Sequence, residues 1–255
     1  MNSRKPDRHT RTGDLFTFEQ ELRNKGYPLI AGLDEAGRGP LAGPVVAAAV
    51  IFQQGTVIEG VNDSKKLSAD TRERLFGDIV RLALGVGIGL AENTEIDTLN
   101  ILNATFLAMD RAIADLRQKP DLLLVDGNIF RAGPASFAIP WQTRIGGDAR
   151  DFSIAAASII AKVARDRLMM EYDSQYPGFG FARHKGYGTR KHREAIARLG
   201  LCPIHRRSFA ISGAGSSTRD IINAEERDGE ESASQGSRRG IDCTPLPGTL
   251  RISGS

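Results

Sequence analysis

The chain has 255 residues, 40% of them hydrophobic, and carries 34 Lys and Arg against 31 Asp and Glu for a net charge of +3. Its length suits one large domain or two small ones around a substantial core, read here as one domain with tails, and uneven placement of the basic residues leaves room for a local basic patch. Only Cys202 and Cys243 are present, which excludes a disulfide framework and zinc spacing and fits a reducing cytoplasm. No apolar run approaches the roughly 20 residues of a membrane helix, and residues 1–13 lack the apolar core of a secretory signal. Their arginines leave an organellar transit peptide as an alternative, which Asp7 and Asp14 weaken.

Residues 1–27 read as an N-terminal extension, polar up to residue 13 and then helical from Thr17 to Lys25, with a Thr17/Gln20 capping-box spacing and Gly26 as a stop. Pro28 to Asp34 reads as a buried strand and Val45 to Phe52 as a second. Pro40, Gly43 and Pro44 forbid a helix between them, so the two are expected to form a hairpin. Ser68 to Leu84 carries apolar residues at helical spacing, and Leu84 to Leu90 alternates like a third strand. One long amphipathic helix is expected from Thr94 to Arg117, closed by Pro120. Strands follow at Leu122 to Val125 and Ser136 to Thr143. A helix from Ser153 to Tyr172 has alanines that allow close approach to a sheet. The reading is an α/β sheet with helices over it. Residues 213–255, rich in Ser, Gly, Arg, Glu and Asp without a sustained apolar period, form a low-complexity tail expected to stay disordered.

Asp34, Glu35, Asp126 and Asp148 each lie where an apolar run gives way to glycine or a turn. Strand ends are where sites form in α/β sheets, so the four can converge despite their separation in sequence. Adjacent carboxylates repel and are costly to desolvate, which points to cations, and magnesium-class ions prefer oxygen ligands. Such a cluster suits metal-assisted phosphoryl transfer with two divalent ions. Because neighbouring strand residues point to opposite faces, Asp34 and Glu35 share a site only if the strand bends or ends there, and a bend at Glu35 is expected. Asp148 has a competitor in Asp151, since either could serve as the N-cap of the helix that follows.

Gly37-Arg38-Gly39-Pro40-Leu41-Ala42 also satisfies a dinucleotide-binding fingerprint. That mechanism needs a helix to begin within the glycines, whereas Pro44 and the β-branched run after it predict a strand. Between Phe181 and Arg207 lie eight Lys or Arg, one acid and three of the four histidines, the electrostatic footprint of a polyanion partner. Within it Tyr187 stands between two glycines, placed to stack on a sugar or base. Lys65, in Asn62-Asp63-Ser64-Lys65-Lys66, is a second candidate phosphate contact. Lys162 and Arg165 are expected to be structural. A dinucleotide-dependent oxidoreductase and a non-catalytic nucleic-acid binder are the readings from other classes.

With these residues assembled, Gly32-Leu33-Asp34-Glu35-Ala36-Gly37-Arg38-Gly39-Pro40-Leu41-Ala42-Gly43-Pro44-Val45 resembles the signature of bacterial type 2 ribonuclease H, the ribonuclease HII family. Asn62-Asp63-Ser64-Lys65-Lys66-Leu67-Ser68, Asp126-Gly127-Asn128, Gly147-Asp148 and His184-Lys185-Gly186-Tyr187-Gly188-Thr189 follow in the family's order. The resemblance implies a ribonuclease H-like fold, with a mixed central sheet flanked by helices and a helical C-terminal extension. The catalytic domain would span 28–212 and include the basic segment 181–207. The implied activity is cleavage of the RNA strand of RNA–DNA hybrids and incision 5′ of single ribonucleotides in duplex DNA, leaving 3′-hydroxyl and 5′-phosphate ends. Asp34, Glu35, Asp126 and Asp148 would hold two Mg²⁺ or Mn²⁺ ions, Gly37, Arg38 and Gly39 would read the ribose 2′-hydroxyl, and Tyr187 would pack on the following deoxyribose. The expected partners are hybrid and ribonucleotide-containing duplexes, with no membrane, a monomeric protein and an unidentified protein partner for the tail.

Overall fold

The computed structural model describes residues 15–210, and the disorder expected of residues 1–13 and of 213–255 falls outside them. Within that range the chain divides into two compact units, the first built from 15–38, 45–91 and 101–165 and the second from 39–44, 92–100 and 166–210.

The first unit carries one five-stranded mixed sheet. Strands β1 (Ile30–Ala36), β2 (Val45–Ile51) and β3 (Gly85–Ala91) form an antiparallel meander, which includes the expected hairpin. On its other side β1 pairs in parallel with β4 (Leu122–Asp126), and β4 in parallel with β5 (Trp141–Arg144), giving the order β3-β2-β1-β4-β5. Two helices press on the sheet where glycine removes the side chain between them. A Cβ on Gly32 of β1 would overlap the backbone at Ser153, in helix α5 (Phe152–Gln175), whose early alanines are fully buried. Cβ atoms on Gly87 and Gly89 of β3 would strike the carbonyls of Ala112 and Ala108 in α4 (Ile101–Asp115). Gly32 is in register with Val50 and Val86, whereas Leu33 is in register with Ala49 and Gly87. Since side chains alternate along a strand, α5 and α4 lie on opposite faces.

Helix α1 (Thr17–Asn24) begins at Phe16 without a side-chain cap, so the Thr17/Gln20 capping box does not form. The helix is instead built into the unit. Leu22 joins Ile30, Leu122, Leu124 and Ile154 in a core cluster, and Glu19, 1% exposed, accepts the Ser153 N–H at 2.7 Å and the Ser153 hydroxyl at 2.8 Å. Asp151 supplies only its carbonyl to the first turn of α5, bonded to the Ala155 N–H, while its carboxylate takes Arg144 Nε at 2.9 Å. A distant glutamate therefore does the capping for which Asp148 and Asp151 compete in sequence.

Two further expectations change. The helix from Thr94 to Arg117 is divided at Asn100, whose φ of +68° breaks it into α3 (Asn93–Leu99) and α4. Apolar spacing carries no signal for a single left-handed residue. Only Trp141–Arg144 of the strand expected from Ser136 forms, because buried Asp110 accepts the Ser136 N–H at 3.1 Å and its hydroxyl at 2.7 Å and holds that stretch in turns. The helix expected at Ser68 to Leu84 is α2 (Ala69–Leu82), capped by the Ser68 hydroxyl on the Thr71 N–H.

The second unit contains α3, the last turns of α5, α6 (Phe181–His184), α7 (Arg190–Leu199) and the loop 39–44. Its core is Leu41, Ala42, Met169, Phe179, Phe181, Ala195, Ile196 and Ile204. The loop is pinned by backbone bonds from Leu41 N to Gly186 O (2.8 Å) and from Gly43 N to Ile204 O (2.9 Å), and by the fully buried Arg206, whose Nε donates to Gly43 O at 2.9 Å.

Gly32→Ala is expected to lower stability by about 3 kcal/mol or more, because backbone rather than a side-chain tip must move. Gly77→Ala in α2, where an added Cβ meets nothing within 4 Å, should raise it by about 0.5–1 kcal/mol. Urea midpoints of the two variants check the pair.

Candidate active site

Asp34, Glu35, Asp126 and Asp148 all belong to the first unit. Leu33 and Val125 form the last register pair of β1 with β4, so the next residue on each strand is an aspartate, Asp34 beside Asp126. Asp126 pairs with Arg144 at the end of β5, and the chain then turns through left-handed Gly146 (φ +67°) into a 3₁₀ turn, Gly147–Ala149, that carries Asp148. The Gly147 N–H donates to Asp126 Oδ1 at 2.8 Å, and the Asp148 N–H is a second donor to that carboxylate. Three acids thus meet at the carboxyl end of the parallel ladder of β1, β4 and β5.

The bend expected at Glu35 is absent. Strand β1 runs on to Ala36, pairing Asp34 with Ala48 and Glu35 with Ala47. By register Asp34 lies on the α5 face and Glu35 on the α4 face. Asp34 Oδ1 accepts the Glu35 N–H at 2.7 Å, and Glu35 Oε1 meets Arg38 Nη1 at 3.3 Å. The two are linked electrostatically despite their faces. Burial pushes the Asp34 carboxyl well above the usual carboxylate range, and the charges of Glu35, Asp126 and Asp148 push it further. Burial also raises Glu35, against the Arg38 guanidinium, and raises Asp126, where Asp148 adds to the effect and the Gly147 and Asp148 N–H groups oppose it.

Lys65 is placed differently from the free phosphate contact expected of it. It sits in a 3₁₀ turn, Ser64–Lys66, whose N-cap Asp63 accepts the Lys65 N–H at 3.0 Å. Its ammonium lies 3.3 Å from Asp148 Oδ2. Burial alone would lower Lys65, but Asp148, Asp34 and Asp63 more than offset this and raise it. The turn is fastened by a buried contact of 2.7 Å between the Ser64 and Ser158 hydroxyls and by Arg72, which donates to Ser64 O and Leu67 O. Nothing in the sequence singled out Ser64, Ser158 or Arg72, since a hydroxyl pair across elements has no local pattern.

The donor set fits hard divalent cations: four carboxylates, with Asp34 and Asp148 under a tenth exposed, and the raised carboxyls of Asp34, Glu35 and Asp126 mark charge awaiting compensation. Among the described residues no three His, Cys, Asp or Glu already stand as a closed ligand group. Lys65 is the cation that lies against Asp148.

In the second unit the ring of Tyr187 is 47% exposed and approaches Gly39, with Cε1 3.7 Å from where a Cβ of Gly39 would stand. The two lie side by side. Residues Gly37 and Arg38 belong to the first unit. The strand β2 follows the glycines, so the helix needed for a dinucleotide site is missing. The basic segment is less of a surface than its composition implied. Arg183, Arg190, Lys191, Arg198 and Arg207 are exposed, but Arg206, His192 and His205 are buried, and burial lowers the last two to about 4.

A mixed sheet with acids gathered at the ends of parallel strands defines a metal-dependent hydrolase of the nuclease type. Residues 31–212 match the family model described as Ribonuclease HII. The chain is 56% identical over 195 residues to "Ribonuclease HII" of Geobacter metallireducens, covering 76% of this chain and 90% of that protein. It is 58% identical over 192 residues to that of Syntrophotalea carbinolica, covering 75% and 90%. Among solved structures it is similar to ribonuclease H2 from Pyrococcus horikoshii, with a TM-score of 0.60 and 29% identity over 78% of this chain and 99% of that one. The chain belongs to the ribonuclease HII family, metal-dependent endonucleases that cleave the RNA strand of RNA–DNA hybrids.

A carboxyl raised by folding binds its proton more tightly in the native state, so its contribution to stability is present at low pH and lost as pH rises through the folded value. In EDTA, stability is therefore expected to fall as pH climbs from 4 towards the raised Asp34 value. Asp34→Asn, which keeps the acceptor for the Glu35 N–H, should flatten that slope and raise stability at pH 8, read by urea melts across pH.

Proposed function

We propose that this protein cleaves hybrids and also incises 5′ of a single ribonucleotide in duplex DNA, leaving 3′-hydroxyl and 5′-phosphate ends. The observation that carries the reading is the meeting of Asp34, Asp126 and Asp148 at the end of the parallel ladder, with Glu35 linked to them by charge and the glycine turn starting two residues later. The four acids would hold two Mg²⁺ or Mn²⁺ ions, which when bound supply a water nucleophile at neutral pH and charge stabilisation of the departing oxygen. Asp126 is oriented for that role by the Gly147 N–H, and Asp148 by Lys65, whose exposed ammonium would also meet the incoming phosphates. Backbone groups of Gly37, Arg38 and Gly39 would read the 2′-hydroxyl, the feature that separates RNA from DNA. Tyr187 would stack on the adjoining deoxyribose, and the exposed cations of 181–207 would hold the backbone. We assign the catalytic region to 28–212, a monomeric state and a cytoplasmic setting, and give the tail 213–255 a protein partner still to be identified.

The test is a duplex carrying one internal ribonucleotide, incubated with Mg²⁺, Mn²⁺ or EDTA and mapped at nucleotide resolution. A cut 5′ of the ribonucleotide with either metal and none in EDTA is expected, and uncut duplex under conditions where a long hybrid is cleaved overturns the single-ribonucleotide reading. Asp126→Asn should stay folded and lose at least about 100-fold in turnover, reflecting the several kcal/mol of charge stabilisation that bound ions supply. Tyr187→Ala should lose about tenfold on the single-ribonucleotide duplex, the worth of one stacked ring, and clearly less on long hybrids, as compared by kcat/KM.

A further inference from the structure

Three histidines of the second unit have each of their ring nitrogens against a named partner, and the partners fix which nitrogen carries the proton. His192 Nδ1 lies 2.9 Å from the Tyr187 carbonyl, which only accepts, so Nδ1 is the protonated nitrogen. His192 Nε2 is then an acceptor. It lies 3.2 Å from His205 Nε2, which must donate to it, and this leaves His205 Nδ1 as an acceptor for the Cys202 N–H at 2.9 Å. The Cys202 carbonyl and Sγ also lie 3.2 and 3.1 Å from His205 Nδ1, but a proton on Nδ1 would face the Cys202 N–H and leave two unprotonated Nε2 atoms opposed. The third ring, His184, donates Nε2–H to Phe179 O at 2.8 Å and accepts the Gly186 N–H on Nδ1 at 3.2 Å. It stacks on His192 at 4.3 Å between centroids.

His184 and the His192 end of the chain grip one turn. His184 holds Gly186 and, through its carbonyl, the Tyr187 N–H at 2.9 Å, while His192 holds the Tyr187 carbonyl. Lys185 and Gly186 carry φ of +51° and +82°, and a Cβ on Gly186 would lie 2.5 Å from the Ala42 carbonyl. The turn thus has little freedom except at the Tyr187 side chain, which is exposed beside Gly39.

We propose that His192 and His205 are positioning residues for Tyr187, acting through a one-directional hydrogen-bond chain from the Cys202 N–H to the Tyr187 carbonyl. The proposal rests on the reading that Tyr187 touches the sugar next to the ribonucleotide. The chain works only with neutral rings, since a proton on His192 Nε2 would face the Nε2–H of His205. Burial, which holds both rings to about 4, keeps them neutral at the pH of catalysis.

Two measurements on the full-length protein test this. Long-range ¹H–¹⁵N spectra at pH 7 should show His192 as the Nδ1–H tautomer and His205 as Nε2–H. The opposite tautomer at His192, or a cationic ring there, overturns the proposal whatever the activity. In parallel, the ratio of kcat/KM on a single-ribonucleotide duplex to that on a long hybrid is measured for His192→Ala, His192→Asn, Tyr187→Ala and the His192→Ala/Tyr187→Ala double variant. His192→Ala should lower the ratio about fivefold, the value of one buried neutral hydrogen bond. His192→Asn places an amide N–H near the lost Nδ1–H and should recover most of it. The double variant should match Tyr187→Ala alone. Asparagine no better than alanine, or additive losses, overturns the positioning role. If Tyr187→Ala itself leaves the ratio unchanged, the assignment of Tyr187 to the sugar fails, and the tautomers still decide the chain.

Discussion

Leu33 stands beside Val125 in the parallel ladder between β1 and β4, and the residue after each is an aspartate. A shift of one residue in that register would turn one of the two acids to the other face of the sheet, so the register decides whether there is a site at all. The surroundings serve to hold it. Gly32 lets α5 lie against β1 with backbone touching backbone, and the buried alanines of α5 carry the contact along the helix. Beyond the ladder, the acids face one another in a setting where burial and like charge both oppose ionisation. The core's tight packing is thus what keeps an electrostatically unfavourable arrangement in place.

Asp34, Asp126 and Asp148 could be picked out from sequence because each ends an apolar run, and strand ends are where an α/β sheet places its chemistry. The hairpin and the edges of α2 and α5 were legible for a similar reason, since proline, glycine and apolar spacing act locally. What escaped depends on residues far apart in the chain. Lys65 on Asp148, Ser64 on Ser158 and Asp110 on Ser136 are tertiary contacts with no signature in either partner's neighbourhood. Asn100 was invisible because one left-handed residue interrupts a helix without disturbing its apolar period. The expected bend at Glu35 was a reasonable demand of pleat geometry that the strand does not meet, and the acids are linked by charge across the two faces instead.

The basic segment illustrates a limit of reading composition as surface. Counting Lys, Arg and His between 181 and 207 treats them as equivalent, yet Arg206 and two of the histidines are interior and spend their donors on backbone or on one another. Arg183, Arg190, Lys191, Arg198 and Arg207 stay exposed, but the histidines answer to the turn that carries Tyr187 rather than to solvent.

Glu19 bears on where a working fragment of this protein can begin. The match to the family starts at residue 31, and a deletion designed on that limit would discard α1 with it. Such a fragment would leave the Ser153 N–H and hydroxyl without their acceptor inside the protein and open the apolar cluster that Leu22 completes. The cost would fall at the first turn of α5, the stretch that Gly32 packs against and that directly follows Asp148 in the chain. Homology thus places the edge of the enzyme a whole helix too late, and the physical boundary of its first unit lies ahead of Thr17.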